Sequence, residues 1–388
     1  MTAATARADV LVVGAGIIGA AVAYFAASAG LSVTVVERGS IAAGTTSRCE
    51  GNLLVSDKEV GPELELSLYS QTLWRGELAE HAADWEFESK GGLVVTSSAR
   101  GKTALDALCV HQRGLGIRVD DVPDTAGLRA IEPYLNPEMV GGAFYPDDAQ
   151  VQPILAAHHL LRLARDRGAR LLTHTEVTGI RVVGGRAVGI ETAAGRIDGG
   201  AVVICAGPWS GEVAALAGVQ VPVMPRRGFV LVTEPVPVTV YHKVYSASYV
   251  ENVASSDAGL QVSAVVEGTP SGTILMGASR ERVGFDASFS ADAVGLVARA
   301  GTELFPVLAD VQIMRTYSGF RPYCPDHLPI IGEDARMPGL WHAAGHEGAG
   351  IGLSVGTAKL LVQSLRGETT DMSLEPFRPH RFDERSAA

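Results

Sequence analysis

Three glycines and one acidic residue near the start of the chain have the types and spacing that hold a dinucleotide phosphate. Gly14, Gly16 and Gly19 form a GxGxxG pattern, and Glu37 follows Gly14 by 23 positions. The first glycine permits a tight turn, the second opens the backbone to a pyrophosphate, and the third lets a helix pack closely on a strand. A carboxylate at Glu37 accepts hydrogen bonds from ribose hydroxyls and repels a 2′-phosphate. The pattern indicates a dinucleotide site and disfavours NADP.

The residues around this pattern predict the strand–turn–helix–strand unit that such a site requires. Residues 8–13 are typical of a buried parallel strand, and a largely apolar helix then runs to about Ala29. Gly30 closes the helix, and residues 31–36 form a second strand that ends at Glu37. The helix N-terminus offers free N–H groups to a phosphate. The alternative is a glycine-rich turn that binds nothing.

Length and charge restrict the class of protein and its partners. The 388 residues suggest two domains, and 47% hydrophobic with 19% charged residues supplies ample material for a folded core. A net charge of −11 repels nucleic acid and anionic membranes, so we expect neither as a partner. Residues 10–36 are largely apolar, but glycines interrupt them early, so we expect no signal peptide or membrane span.

The four cysteines are isolated from one another in the sequence. Cys49, Cys109, Cys205 and Cys324 form no CxxC pair. This spacing predicts no metal or iron–sulfur site and no disulfide framework, and it favours a reducing, cytoplasmic location.

Three further segments are suited to a cofactor site. Residues 44–52 are small, polar and glycine-bearing, and residues 201–210 predict a buried strand that ends in a turn of small residues. Residues 339–352 predict a strand, a glycine-rich turn and the start of a helix that continues to about Leu365. Small residues in such turns allow a cofactor to approach the backbone closely.

Two motifs near the C-terminus carry a family resemblance that covers nearly the whole chain. Residues 318–332, SGFRPYCPDHLPIIG, followed by AGHEG at 344–348, resemble the D-amino acid oxidase superfamily of FAD-dependent oxidoreductases. That superfamily includes glycine oxidase, sarcosine oxidase and amino-acid dehydrogenases. Residues 267–281 and the His-Glu-Gly at 346–348 are most similar to β subunits of heteromeric dehydrogenases. These are D-hydroxyproline dehydrogenase, opine oxidase, hydrogen cyanide synthase and heteromeric sarcosine oxidase.

The resemblance implies an α/β protein with a Rossmann-type FAD-binding domain and a mixed-sheet α+β substrate domain. We expect a discontinuous FAD-binding domain from residues 1–85, 146–220 and 320–388, and a substrate domain from residues 86–145 and 221–319. Substrate-domain strands are predicted at 92–96, 229–233 and 273–277, and their alternation with helices suggests a mixed sheet flanked by helices. Helical periodicity predicts helices at 153–167 and 291–305.

The resemblance also implies that FAD lies extended across the larger domain, and the ordered βαβ motif with Glu37 predicts that it is bound non-covalently. The backbone of Val177, in a strand-like segment at 174–177, would meet the adenine, and residues 345–351 would lie under the flavin pyrimidine. The residues that we expect to bind FAD are Gly14, Ala15, Gly16, Ile17, Ile18, Gly19, Glu37, Arg38, Gly44, Thr45, Thr46, Ser47, Gly51, Asn52, Val177, Cys205, Ala206, Gly207, Trp209, Gly345, Gly348, Ala349, Gly350 and Ile351.

The implied reaction is oxidation of an amino acid or secondary amine by hydride transfer to flavin N5, which gives an imine. Arg321 is the predicted anchor for a substrate carboxylate, because its planar fork can form two parallel hydrogen bonds. His346 and Glu347 are further catalytic candidates, although they could also satisfy backbone groups. A helix beginning near Gly348 would stabilise negative charge on the reduced flavin. Tyr249, Tyr317 and Tyr323 could line the pocket or form part of the core.

Several alternatives remain open at this point. Glycine-oxidase-like relatives carry a second arginine in the turn after the motif histidine, where this chain has residues 347–349, so the dehydrogenase-subunit branch is favoured. The chain could be a partner-dependent subunit that passes electrons to other subunits, a free-standing enzyme, or a NAD-dependent dehydrogenase on the same βαβ unit. The expected small-molecule partner is an amine or amino acid of unspecified identity.

Overall fold

The structure is a computed structural model that describes residues 7–248 and 255–382. Its helices are α1 (Ile17–Ser28), α2 (Pro62–Arg75), α3 (Ala99–Gly114), α4 (Thr125–Ile131), α5 (Pro153–Asp166), α6 (Ser210–Ala215), α7 (Ala291–Leu304) and α8 (Gly350–Leu365). Its strands are β1 (Ala8–Val13), β2 (Val33–Val36), β3 (Asn52–Leu53), β4 (Gly92–Thr96), β5 (Asp120–Val122), β6 (Gly141–Tyr145), β7 (Ala149–Gln150), β8 (Arg170–Leu172), β9 (Val177–Val183), β10 (Arg186–Thr192), β11 (Gly195–Ile204), β12 (Met224–Thr233), β13 (Lys243–Ser246), β14 (Gln261–Gly268), β15 (Ile274–Arg280), β16 (Ile313–Tyr323), β17 (Ile330–Glu333) and β18 (Leu340–Ala344).

The first sheet is centred on β1 and has the order β17-β18-β11-β1-β2-β8, with β9 and β10 extending from β11. β1 pairs in parallel with both β2 and β11. Val10 and Val12 face one hydrophobic cluster together with α1, α5 and α8, while Leu11 and Val13 face another. Because β1 is covered on both faces, its side chains are apolar almost without interruption.

The second sheet has the order β16-β12-β15-β14-β13-β4-β6-β5. β13 and β4 are parallel, and the other neighbouring pairs are antiparallel, so this sheet is mixed. α7 packs on it through Val297 and Leu304. The predicted fold class is confirmed, while the division into two domains stays a prediction. β16 belongs to this sheet and continues past the expected boundary at 320.

Most of the predicted elements match the structure, and those that differ in detail include β2, α8 and the segment at 174–177. β2 begins at Val33 instead of residue 31, and α8 begins at Gly350 instead of near 348. The segment at 174–177 is not a strand over its length, because residues 173–176 form the loop between β8 and β9. His174 has a φ of +50° there, and the Thr175 N–H donates to the Glu37 carbonyl at 2.8 Å. These backbone contacts replace strand pairing and hold the loop beside the end of β2.

No helix in the described ranges is both long enough and apolar enough to cross a membrane.

Candidate functional site

The glycine-rich turn after β1 leaves no room for side chains. Gly14 has a φ of +109°, and a Cβ added there would lie 2.5 Å from the Cys205 carbonyl oxygen. A Cβ on Gly19 would lie 1.9 Å from the carbonyl oxygen of Gly14. Gly14 therefore forms the turn, and Gly19 lets α1 approach the strand, as the spacing predicts.

This turn borders a cavity of about 640 Å³ that is lined by residues of both sheets. A volume of this size is typical of a site for a small molecule or cofactor. From the first sheet and its loops come residues 36–39, 43–46, 48–52, 175–178 and 205–209. From the second sheet come Gly228, Val230 and residues 319–322.

Most of the predicted site residues meet at this cavity. Arg321, His346 and Glu347 line it, and so do nineteen of the predicted FAD-binding residues: Gly14, Gly16, Ile17, Ile18, Glu37, Arg38, Gly44, Thr45, Thr46, Gly51, Asn52, Val177, Cys205, Ala206, Gly207, Trp209, Gly348, Gly350 and Ile351.

Five predicted FAD-binding residues do not line the cavity, and most of them shape it from behind. The Ala15 N–H donates to Glu37, Gly19 packs against the turn, and the Ser47 hydroxyl donates to the Gly44 carbonyl at 3.2 Å. The other two, Gly345 and Ala349, flank the residues of the second glycine-rich turn that do line the cavity. Their direct contact with a ligand is therefore not supported.

Glu37 is held in place by two backbone groups. Its Oε2 accepts a hydrogen bond from the Ala15 N–H at 2.8 Å, and its Oε1 accepts one from the Gly39 N–H at 2.8 Å. Carboxylate oxygens have further acceptor capacity. Glu37 can therefore still receive ribose hydroxyls from the cavity that it lines.

Two helix N-termini reach the same cavity. α1 begins at Ile17 after the N-cap Gly16, and α8 begins at Gly350 after the N-cap Ala349. Neither N-cap residue supplies a side-chain cap, although the Ile17 N–H donates to Thr46 Oγ1 at 3.0 Å. The remaining N–H groups of the first turn and the positive end of the helix dipole favour negative charge. The N-terminus of α1 suits a pyrophosphate, and the N-terminus of α8 suits the negative charge that a reduced flavin gathers. The residues present therefore fit FAD.

Arg38, Trp209 and Phe285 form a stack at the cavity. The sequence did not predict this contact. The Arg38 guanidinium lies 4.0 Å from the centre of the Trp209 ring, and Trp209 stacks on Phe285 with ring centres 5.2 Å apart. This stack joins the end of β2, the turn after β11 and the loop that follows β15. A cation on an indole face is a favourable contact that fixes both side chains.

Arg321 lies on β16 and faces the cavity, and its positive charge has little to neutralise it among the described residues. Its Nη1 donates to the Ser279 carbonyl at 2.9 Å, and the described part of the chain gives it no carboxylate partner. A Cβ on Gly228 would lie 2.2 Å from that Nη1, so the neighbouring strand needs glycine there. The guanidinium therefore keeps donors for an anion in the cavity.

Glu347 is already engaged by two cationic groups. Its carboxylate lies 2.9 Å from His327 Nδ1 and 3.5 Å from Arg226 Nη1, and its N–H donates to the Pro322 carbonyl. The Glu347 contact raises the pKa of His327, against the effects of burial and of Arg226. Arg226 is almost fully buried, and burial lowers its pKa. These contacts support an orienting role for Glu347.

His346 is buried and turned toward α8. Its Nε2 lies 3.0 Å from Thr357 Oγ1. Burial lowers the pKa of His346 to about 3, so the imidazole is neutral at ordinary pH. A ring of such low basicity is a poor proton acceptor, which supports a structural role in the turn.

The candidate aromatic and cysteine residues have mostly structural surroundings. Tyr317 donates to the Cys49 carbonyl at 3.3 Å, Tyr323 is buried, neither lines the cavity, and Tyr249 lies outside the described residues. Burial raises the pKa of Cys49 to about 12, so this cavity-lining thiol is a weak nucleophile. Cys324 is fully buried away from the cavity.

Sequence reasoning missed part of the cavity wall. Arg48 and Glu50 stand within the predicted loop but were not assigned to the site, and Gly228, Val230 and Phe320 come from paired strands β12 and β16. One part of this wall could have been predicted. Residues two apart on a strand share a face, so Arg321 in the cavity indicates that Gly319 lies on the same side.

A separate group of possible metal ligands lies outside this cavity. Ligand atoms of His81, Asp84 and His159 lie within 4.8 Å of one another. The Arg162 Nη2, however, lies 3.0 Å from His159 Nε2. A guanidinium at that nitrogen competes with a cation, so we assign no metal there.

The fold and cavity define a dinucleotide-binding oxidoreductase. The chain belongs to the DAO family, described as FAD dependent oxidoreductase, whose model matches residues 9–364. FAD is therefore its cofactor, and the NAD alternative is set aside. The family is one of amino acid and amine oxidoreductases.

Individual relatives agree with this assignment. The chain is 30% identical to glycine oxidase of Geobacillus kaustophilus over 384 residues, which cover 96% of this chain and 97% of that protein. It is 29% identical to hydrogen cyanide synthase subunit HcnC of Pseudomonas aeruginosa over 330 residues, 84% of this chain and 75% of that protein. The fold is similar to L-proline dehydrogenase from P. horikoshii, with a TM-score of 0.88, 23% identity and coverage of 98% and 99%.

Proposed function

We propose that this enzyme oxidises an amino acid or a secondary amine to the imine, with Arg321 holding the substrate carboxylate. The observation that carries this proposal is a guanidinium that lines the FAD cavity and has no carboxylate partner among the described residues. Leaving such a cation without an anion is unfavourable in a partly buried site, so a carboxylate ligand would stabilise it.

The chain's own residues supply position and electrostatics. FAD, when bound, supplies the hydride acceptor at flavin N5. Arg321 would hold the carboxylate so that the α-carbon is presented in one orientation. The N-terminus of α8, at Gly350, would stabilise negative charge that develops beside it. The neutral, buried His346 would keep the turn before α8 in place.

We propose D-amino acids, D-proline-like amino acids and N-methylglycine-like amines as the substrate class. The similarity to glycine oxidase supports a small amino acid. The turn after His346 contains Glu347, which His327 and Arg226 hold. A second carboxylate-binding arginine is therefore missing from that place among the described residues, which distinguishes this site from a glycine oxidase of the resembled pattern.

A second candidate is a partner-dependent subunit of a multi-subunit dehydrogenase. It is supported by the similarity to HcnC, which is itself named as a subunit. The four cysteines are free and mutually distant, so an onward iron–sulfur relay would lie on another chain. Free thiols also support the proposed cytoplasmic location.

The test is anaerobic bleaching of the flavin by a panel of D-amino acids, prolines, glycine and sarcosine, with matched carboxylates that lack nitrogen as controls. Bleaching by at least one nitrogen-containing member, and by none of the controls, is the expected result. A flavin that dithionite bleaches but no amine or amino acid bleaches would overturn the proposal.

A further inference from the structure

A buried charged cluster adjoins the cavity on the side of the second sheet. Lys243 Nζ lies 2.8 Å from Glu267 Oε2 and 3.4 Å from Glu50 Oε2, and it also donates to the side-chain oxygen of Asn52. The exposed fractions of Lys243, Glu50 and Glu267 are 2%, 8% and 0%. Charged side chains are rarely buried this deeply unless they are paired with one another.

The lysines of this cluster interact more closely with Glu267 than with Glu50. Lys243 is closer to Glu267, and Lys90 also acts electrostatically on Glu267. Burial nevertheless raises the pKa of Glu267, with Lys243 opposing that effect. Glu50 receives only the longer contact from Lys243 and a 3.2 Å hydrogen bond from Asn52, both on Oε2.

The other carboxylate oxygen of Glu50 has no hydrogen-bond partner. Oε1 is buried, and no described group donates to it, although Glu50 lines the cavity. Gly277 on β15 makes room for this carboxylate, because a Cβ there would lie 2.0 Å from Oε1. A buried carboxylate oxygen without a donor is costly, so a donor from a ligand would offset that cost.

Glu50 and Arg321 place two opposite charges in the same cavity. Both act electrostatically on the Cys49 thiol, Arg321 lowering and Glu50 raising its pKa. Both line the same cavity, Arg321 from β16 and Glu50 from the loop before β3. An α-amino acid carries a carboxylate and a protonated nitrogen on one carbon, which is the complementary arrangement of charges.

We infer that Glu50 binds the nitrogen of the substrate, so that the site selects zwitterionic amino acids over carboxylates and over amines that lack a carboxylate. Lys243 and Glu267 act as positioning residues that hold Glu50. The inference rests on the proposed function, in which Arg321 binds the carboxylate. It adds the second recognition element and a residue that the cofactor motifs do not include.

The experiment compares two small probes that differ at one group. Sarcosine carries a protonated nitrogen where methoxyacetate carries an ether oxygen, and both carry a carboxylate. The FAD-loaded enzyme is titrated anaerobically with each probe, and the half-saturating concentration is read from the flavin spectrum or from its bleaching. The variants are Glu50→Gln, Arg321→Ala and the control Glu138→Gln, which removes an exposed carboxylate outside the cavity.

Glu50→Gln is expected to raise the half-saturating concentration of sarcosine by about tenfold or more, because a charge-assisted hydrogen bond is lost. It should leave methoxyacetate unchanged, and Glu138→Gln should change neither. Glu50→Asp keeps the charge on a shorter side chain and should weaken sarcosine alone, which covers the case that Glu50→Gln does not fold.

Equal weakening of both probes by the Glu50 variants, or no weakening of sarcosine, would overturn the inference and leave the Arg321 assignment intact. Failure of the proposed function looks different. In that case the parent enzyme responds to neither probe, or Arg321→Ala binds both as well as the parent does, and the inference falls with it.

Discussion

Arg321 Nη1 donates a hydrogen bond to the main-chain carbonyl oxygen of Ser279 at 2.9 Å. This contact orients one corner of the guanidinium and leaves Nε and Nη2 without hydrogen-bond partners among the described residues. The pairing of β16 with β12 sets Arg321 opposite Arg226, and Arg226 is the one that pairs with Glu347. Two neighbouring arginines thus have different surroundings, and only Arg321 lines the cavity.

Arg321→Lys should retain the charge and lose the bidentate geometry. We expect the substrate concentration for half-maximal flavin reduction to rise by about tenfold or more, because Lys binds a carboxylate as a point charge. The measurement is anaerobic stopped-flow reduction. Arg315→Lys, on the same strand but exposed, is the matched control. Arg321→Ala that keeps FAD and is reduced as fast as the parent at low substrate would contradict the assignment.

Gly16→Val should abolish FAD binding and leave the rest of the fold in place. A Cβ at this position already lies 3.1 Å from Thr46 Oγ1, and a larger side chain extends into the cavity where the pyrophosphate is expected. Gly295→Val, in open space on α7, should remain yellow. The measurement is the ratio of flavin to protein absorbance after purification. A Gly16→Val protein with the parent's ratio would remove Gly16 from the FAD site.

The FAD of the parent enzyme should be released by acid. Cys49 is the only cavity-lining cysteine besides Cys205 among the described residues, and burial raises the pKa of both thiols. Weakly ionised thiols are poor nucleophiles for attachment to the flavin. After acid precipitation the yellow colour should be in the supernatant. Colour that remains in the pellet would show a covalent bond.

His327→Asn should destabilise the protein more at about pH 6 than at about pH 9. The pKa of His327 is raised in the folded state, first by its close contact with the Glu347 carboxylate, with Glu63 adding to the shift. The stabilisation is fully present below the unfolded pKa and is lost as pH rises through the folded pKa. Asn tolerates the φ of +60° at this position.

The measurement is the free energy of urea unfolding for parent and variant at both pH values. His158→Asn, exposed on α5, controls for the loss of an imidazole. A His327→Asn deficit that is constant or grows with rising pH would show that the ion pair with Glu347 does not act as described.

Reduced enzyme should react slowly with oxygen and faster with an artificial dye or a quinone. This expectation rests on the proposed role as a partner-dependent subunit, in which electrons would leave the flavin for another carrier. The measurement is stopped-flow reoxidation after anaerobic reduction, in air-saturated buffer and with dye. Rapid reoxidation by oxygen, with peroxide formed in step with substrate consumed, would instead indicate a self-sufficient amino-acid oxidase.

The dinucleotide unit could be predicted from sequence because its requirements are local. The tight turn needs a glycine at Gly14, close helix packing needs Gly19, and the strand periodicity on either side is visible within a short stretch. Glu37 could be placed because β2 follows α1 directly. The turn at 345–350 before α8 was visible for the same reason.

The substrate side of the cavity was decided by the tertiary structure. Glu50 and Lys243 are 193 positions apart, and they meet only because β13 and the loop before β3 are brought together. Likewise, Gly228 makes room for Arg321 only in the observed register of β12 and β16. The backbone conformation of a turn depends on neighbouring residues, so the sequence alone determined the glycine-rich turn after β1. A side-chain contact between distant strands depends on pairing and register, which the whole fold sets.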